Sequence, residues 1–436
     1  MEGSRLMPQL LSLQVRGLFQ FIDHDIDFSS ESPVTILSGP NGIGKTHILR
    51  LIKALLELDI PRVGSIPFES ARAAFVNRRV ILLERLEVDG RTQLRISGRG
   101  PRGADLGTMT VSLAANLEHL PPWIVRSSDG RWFDTRPTRP RLLTHSFVQR
   151  HFGVQYDRYE DTYAVPAWLA DIMLDSESVF IDTKRLDTVA RAERERPDHA
   201  LESRPHSRIE EYIRQIQVQV SEAKTASLSA TQSADESFAA RVLQGARNTV
   251  QESFLKARYQ KVAEQASELY RNGLSAAVVD VDFPSSRTNP TERRVLAVFL
   301  DDWENRLVPL LPVNEKLKTL RSIVIDKFIG KDLRMAASGA PTFFSTVDDS
   351  EIEVTSLSSG EQHLLALFTM LLFSTKERSL VLIDEPEISL HATWKHAFLE
   401  DISNVARIAH LQVVIATHSS GIINGRWDLV QELGAS

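Results

Sequence analysis

Three short stretches carry residue types whose spacing could do chemistry on a phosphate ester. The first is Gly39, Pro40, Asn41, Gly42, Ile43, Gly44, Lys45 and Thr46, which fits G-x-x-x-x-G-K-[ST]. Glycines at those places let backbone N–H groups turn toward phosphate oxygens. The lysine can reach the β- and γ-phosphates, and the hydroxyl of Thr46 can sit on Mg²⁺. A nucleoside triphosphate, ATP, is the expected ligand. The second stretch is SLVLIDEPE, residues 379–387, an apolar run that ends in acids. Burying adjacent carboxylates without partners is costly, and a metal with a catalytic water relieves the cost. Asp384 is expected to hold Mg²⁺ through water, and Glu385 to polarise the attacking water as a base. Glu387 reads as a structural or gating residue. The third is LQVVIATHS, where His418 follows another apolar run. A lone histidine there is more often a satisfied polar residue than a catalytic one. Beside a nucleotide it becomes a sensor of the γ-phosphate.

A fourth stretch, SLSSGEQHLL, is open to two readings. Ser358 and Glu361 are spaced as a capping box, which would make it only a helix start. A glycine-opened helix start lined by Ser358, Ser359, Gly360 and Glu361 is also a phosphate site. The loop at 39–46 already brings one helix start to the nucleotide, so the second is expected to close over the ATP of another copy. Such a site would be complete only in a symmetric dimer.

These residues need elements to hold them. VTILS before the glycine loop and HILRLIKALLEL after it predict strand, loop and helix. The stretch LLSLQVRGLFQFIDHDIDF alternates as half-buried strands do, and residues 80–112 predict further strands with Asp89-Gly90 as a hairpin turn. Residues 136–143 are broken by proline and predict a loop. Residues 178–186 predict a buried strand, with Lys184 and Arg185 at its end facing either a nucleotide, a partner or an ordinary ion pair. The next twenty residues are charged and read as an exposed connection. From 207 the apolar spacing of Ile209, Tyr212, Ile213, Ile216 and Val220 is helical. A small polar run at 226–237 interrupts it, helical spacing resumes to Tyr270, and a second helical stretch covers 292–328. The C-terminal region alternates strand and helix, beginning with EIEVTSL, which predicts a mostly parallel sheet covered by helices. The expected divisions are 1–186, 187–330 and 331–436.

Composition narrows the class. The chain has 436 residues, 42% hydrophobic and 25% charged, as ordinary globular proteins have. It has no cysteine, which excludes disulfides and thiolate metal sites and suits a cytoplasmic location. Its first residues lack the apolar core of a signal peptide, and no run is long enough to span a membrane. A net charge of −6 does not advertise nucleic acid. Yet 39 of the 51 basic residues are arginine, several of them clustered at 72–102 and 126–150, so DNA stays open as a partner.

Taken together, the glycine loop (a Walker A motif), LSSGEQ (a signature motif), the DE-ended strand (Walker B) and the final His418 resemble the ABC-type ATPase heads of the SMC-like branch. The resemblance covers residues 8–60 and 320–425. It implies an α/β fold, an ABC-type ATPase head with a mostly parallel sheet, an N-terminal antiparallel β lobe and a helical insertion. It also implies ATP hydrolysis with Mg²⁺ by an ATP-dependent homodimer or higher assembly. Roughly 310 residues separate Thr46 from Leu357, far more than in transporter ATPases. DEPE-x-SLH followed by ATHS is most similar to the OLD family and to the Septu- and retron-associated ATPases of antiphage defence. Ala392 and Ser420 stand where those proteins commonly carry proline, and with 18 residues after His418 no Toprim nuclease domain is expected. The resemblance therefore implies a switch acting on a separate effector, such as a nuclease. The alternative is a RecF-like repair ATPase closing directly on DNA. The resemblance also implies a Mg²⁺-binding glutamine in the first lobe; Gln149 and Gln155 lie in that region, a lone glutamine is more often a surface residue, and neither is assigned the role.

Overall fold

The structure is a computed structural model describing residues 10–28, 31–76, 78–88, 91–112, 124–126, 132–134, 141–143, 165–173, 178–182, 208–244, 251–275, 283, 288–336, 340–388 and 390–434. The chain divides into two compact units. One comprises Met1–Glu31, Leu37–Phe180 and Gln431–Ser436, the other Ser32–Ile36 and Ile181–Val430.

The first unit begins with β1 (Leu10–Leu18) and β2 (Ile22–Asp27). In β2 the sequence IDHDID turns Ile22, His24 and Ile26 inward and three aspartates outward. β3 (Val34–Ser38), whose residues Val34–Ile36 belong to the second unit, is buried along its first four residues, as a strand covered on both faces must be. After the glycine loop come α1 (Lys45–Leu56), whose apolar stripe includes Ile48, Leu49, Ile52 and Leu55, and the short α2 (Ile60–Ser65), capped by Asp59. β4 (Ser70–Phe75), β5 (Val80–Val88), β6 (Arg91–Arg99) and β7 (Asp105–Ser112) follow. They complete a six-stranded antiparallel sheet in the order β2-β1-β4-β5-β6-β7. Val88 pairs with Arg91, which makes β5 and β6 the expected hairpin; the turn residues Asp89 and Gly90 lie outside the described residues.

β8 (Ile124–Arg126), β9 (Trp132–Asp134) and β10 (Arg141–Leu143) form a small antiparallel sheet. This corrects the loop expected at 136–143, whose last three residues pair with β9. The prolines precede that strand instead of interrupting it, and three residues are too few for alternation to show. α3 (Ala167–Met173) places Trp168 against Gly98 and Gly107, where any Cβ would stand 2.6 Å from the indole. β11 (Ser178–Asp182) is the strand expected in that region.

In the second unit, α4 (Arg208–Gln244) runs for 37 residues without the interruption expected at 226–237. The small polar residues there satisfy themselves along the helix: the Thr231 hydroxyl donates to the Ser227 carbonyl, and the Ser237 hydroxyl to the Ser233 carbonyl. Next are α5 (Glu252–Arg271), α6 (Pro290–Leu307) and α7 (Leu311–Lys327). The single helical stretch expected at 292–328 is two helices, separated by a 3₁₀ turn at Val308–Leu310 that contains Pro309. Paired charges staple this region, Arg241 to Asp302 and Arg258 to Asp301 and Glu304.

β12 (Lys331–Met335), β13 (Pro341–Ser345) and β14 (Glu351–Ile352) make a three-stranded sheet. The strand alternation read from EIEVTSL stops there, because Val354–Ser356 form a 3₁₀ turn. α8 (Ser359–Thr369) runs into a π-helical turn at Met370–Ser374. β15 (Leu380–Asp384), α9 (Ala392–Ile408), β16 (Gln412–Thr417), α10 (Ser420–Ile423) and β17 (Val430–Glu432) complete the chain. The central sheet has the order β11-β15-β16-β3-β17, and β15 pairs with β16 in parallel, Asp384 opposite Ala416. Its core strands Leu380–Ile383 and Val413–Ala416 are fully buried, and Phe398, Ile402 and Val405 of α9 are buried too. The α/β architecture, with a parallel sheet, an N-terminal antiparallel sheet and helical segments, is the one the sequence predicts.

Candidate functional site

In the first unit the candidate residues Gly39 to Thr46 form a loop after β3 that ends at the start of α1. Gly44 is the N-cap of α1 and has φ +95°, a left-handed conformation that glycine adopts without steric cost. A Cβ at Gly44 would stand 2.4 Å from a Leu18 methyl. Among the described residues no side chain caps α1, and its first turn holds no acid. Lys45 is buried, and its Nζ donates to the carbonyls of Gly39 at 2.6 Å and Pro40 at 3.0 Å. The ammonium is thus curled into its own loop.

Below the loop, His24 is almost fully buried, with Nε2 2.9 Å from the Ile43 carbonyl oxygen. A carbonyl only accepts, so Nε2 carries the hydrogen. Phe19 sets its ring edge-on to His47, 4.9 Å between centroids. Burial, with help from Arg50, holds the His47 imidazole below its ordinary pKa, so it is neutral near pH 7. Sequence reasoning missed His24. The available signal was its place in IDHDID, in phase with two isoleucines, because a buried imidazole needs a partner.

In the second unit β15 and β16 bring Asp384, Glu385 and His418 to neighbouring strand ends. Glu385 has φ +48°, a left-handed conformation that costs a non-glycine residue about 1–2 kcal/mol. Its N–H donates to the Ala416 carbonyl at 2.9 Å, which fixes it to the end of β16. The 3₁₀ turn Pro386–Ile388 then carries Glu387 inward. Glu387 Oε1 accepts from the Thr417 hydroxyl at 2.7 Å and from the His418 N–H at 3.3 Å, and lies 3.2 Å from His418 Nδ1. The Thr417 hydroxyl in turn accepts from the Ser419 N–H at 2.9 Å. Among the described residues, Glu387 Oε2 is buried with no hydrogen-bond partner. The His418 side chain is 49% exposed, so it is reachable from outside.

Also in the second unit, Ser358 caps α8 in a complete capping box. Its N–H and hydroxyl both donate to Glu361 Oε2, at 2.8 and 2.9 Å, and the Glu361 N–H donates back to its hydroxyl. Lys331 Nζ meets the other carboxylate oxygen at 2.8 Å. Burial alone would push the Glu361 carboxyl up, but Lys331 and the Ser358 donors outweigh it and hold the group below its ordinary value. Gln362 donates to the carbonyls of Leu357, Thr355 and Val354, which fixes the approach to the helix. Gly360 lies against Trp394, and a Cβ there would stand 3.4 Å from the ring, in ordinary van der Waals contact. Ser358 and Ser359 are exposed.

No group of three or more His, Asp or Glu side chains among the described residues could form a metal cage. No helix among the described residues is long and apolar enough to cross a membrane. Gln149, Gln155, Lys184 and Arg185 lie outside the described residues.

A family model described as "AAA domain, putative AbiEii toxin, Type IV TA system" matches residues 174–424, more than half of the chain. A second, described as "AAA domain", matches residues 12–119. Among curated proteins, protein ea59 of Escherichia phage lambda is 39% identical over 67 residues, 15% of this chain. The chain spans 13% of the length of that relative. Among solved structures, the Smc head domain with an extended coiled coil bound to the C-terminal domain of ScpA, from Pyrococcus furiosus, is 12% identical. That likeness covers 99% of this chain and 94% of that one, at a TM-score of 0.36. The SMC head domain from Thermotoga maritima is 12% identical over 97% and 94% of the two chains, at a TM-score of 0.32.

Proposed function

The chain belongs to the AAA-domain family whose model it matches over residues 174–424, and from that membership we propose that it is an ATP-hydrolysing switch. The observation that carries this reading is the phosphate loop itself. It combines an uncapped α1, a left-handed Gly44 and Lys45 aimed back over its own carbonyls. The loop N–H groups and Lys45 hold the β- and γ-phosphates. Thr46 and Asp384 are the residues that would hold Mg²⁺, which would supply neutralisation of the phosphate charge. Glu385 accepts the proton of the attacking water, and His418 contacts the γ-phosphate. The strained backbone of Glu385, fixed by Ala416, supports that role, because such strain collects at functional sites.

The switch acts by dimerising around ATP, with Ser358, Ser359 and Gly360 meeting the γ-phosphate of a second copy and Lys331 offsetting the Glu361 carboxylate. Its output is control of a separate effector protein, a nuclease, in antiphage defence. DEPE-x-SLH and ATHS support that output by their similarity to defence ATPases.

Light scattering on Glu385→Gln tests the dimer. Without nucleotide the variant is monomeric, and with ATP and Mg²⁺ it doubles in mass. Adding Ser358→Arg keeps ATP binding and prevents the doubling. The same mass with and without ATP contradicts closure around the nucleotide.

A further inference from the structure

We propose that Glu387 is a positioning residue for His418, fixing the imidazole by its Nδ1 so that Nε2 is the ring nitrogen presented to the γ-phosphate. The inference rests on the reading of His418 as the phosphate contact and adds the group that sets its orientation and tautomer.

Glu387 is 7% exposed, and a carboxylate that deep is costly unless hydrogen-bonded. Its partners are all concentrated on Oε1: the Thr417 hydroxyl, the His418 backbone N–H and, at 3.2 Å, His418 Nδ1. A carboxylate with two equally usable oxygens has been arranged so that one takes every donor and the other takes none. If its only task were to tie β15 to β16, the Thr417 hydroxyl would suffice, with the second oxygen left to any neighbour. The geometry instead converges on one residue, His418, through both its backbone and its ring.

An ionised carboxylate only accepts, so an Nδ1–H is the form that the 3.2 Å approach of Nδ1 to Oε1 favours. That assigns the Nδ1–H tautomer to the neutral ring and leaves Nε2 for the phosphate. Nε2 donates to a phosphate oxygen only in the imidazolium, whose second proton comes from solvent, with the Glu387 carboxylate beside the ring. A histidine whose second nitrogen is fixed by a carboxylate is a recurrent way to set orientation. Glu387 also shares its turn with Glu385. One turn thereby carries the water-activating carboxylate at its start and the support of the phosphate sensor two residues on.

The test reads the tautomer directly and needs no nucleotide. The full chain is labelled with ¹⁵N-histidine and recorded above the ordinary histidine titration range. The His418 signal is identified by its loss in His418→Gln. The wild type shows the Nδ1–H form, Glu387→Gln, which keeps an acceptor, largely retains it, and Glu387→Ala reverts to the Nε2–H form that a free imidazole prefers. In turnover assays Glu387→Ala lowers kcat about tenfold to a hundredfold, the scale of a misplaced contact, with KM for ATP little changed, and Glu387→Gln recovers part of the loss. An Nε2–H tautomer in the wild type, or an unchanged tautomer in Glu387→Ala, overturns the proposal. If Glu387→Ala does not fold, the wild-type tautomer still decides. Finding the Nδ1–H form in a chain that hydrolyses no ATP would contradict the ATPase reading and leave the Glu387–His418 placement standing.

Discussion

Two helices of this chain start at residues that sequence alone assigns to phosphate, and they start in opposite ways. α1 begins at a left-handed glycine, with no side-chain cap and no acid in its first turn, and with a lysine as its first residue. α8 begins with a closed capping box whose carboxylate, Glu361, sits in the first turn. A capping box directs the helix's orphan donors to its own side chains and adds a negative charge at the positive end of the dipole. An uncapped glycine start does neither. α1 can therefore receive a triphosphate unaided. α8 can do so only with Lys331 holding the Glu361 charge in check, and with Ser358 giving up its hydrogen bond to that carboxylate.

Substitutions sharpen this contrast. Lys45→Ala removes the one cation of the uncapped start and should weaken ATP binding by about a hundredfold or more, the scale of one to two charge-assisted hydrogen bonds. Calorimetric titration of the variant against the wild type reads it, and equal affinities would mean that α1 is not the phosphate site. His24→Leu keeps the loop sequence and removes the buried donor to Ile43. A fivefold to tenfold loss of ATP affinity is expected, since a single neutral hydrogen bond is worth about 1 kcal/mol. An unchanged affinity would show that the loop needs no support from β2.

The smallest effect belongs to the capped start. The Glu361 carboxyl is held below its ordinary pKa of 4.5 in the folded chain. Its contribution to stability is therefore complete above that value and is lost as pH falls through the folded value. Urea unfolding should show Glu361→Gln destabilised by about 1 kcal/mol near neutrality, with the gap to wild type closing in acid. A gap that does not depend on pH would remove the charge from the explanation.

The glycine loop between β3 and α1 was legible because it is a backbone feature, written in glycine spacing between an apolar strand and an apolar helix stripe. The parallel strands were legible for a similar reason: four consecutive buried apolar residues followed by acids or a histidine have few other uses. What stayed hidden depends on partners distant in sequence. His24 finds Ile43, Lys331 finds Glu361, and Glu387 finds Thr417 and His418, and no local pattern joins the members of those pairs. The left-handed backbone of Glu385 was hidden too, because it is imposed by its bond to Ala416 and not by its own side chain. The unbroken α4 shows the converse. Small polar residues read as a break, but their hydroxyls bond back along the helix and two alanines, Ala223 and Ala234, are buried, so tertiary packing decided the outcome.

Phosphate release from ATP by the purified chain, run beside Glu385→Gln, bears most directly on whether this is a hydrolysing switch. The wild type should turn over, and the variant should bind ATP as tightly while its rate falls by about 10²–10⁴-fold, the usual worth of a general base. A variant that hydrolyses ATP as fast as the wild type, or a wild type that binds ATP without hydrolysing it, would contradict the assignment of Glu385 and the switch built on it.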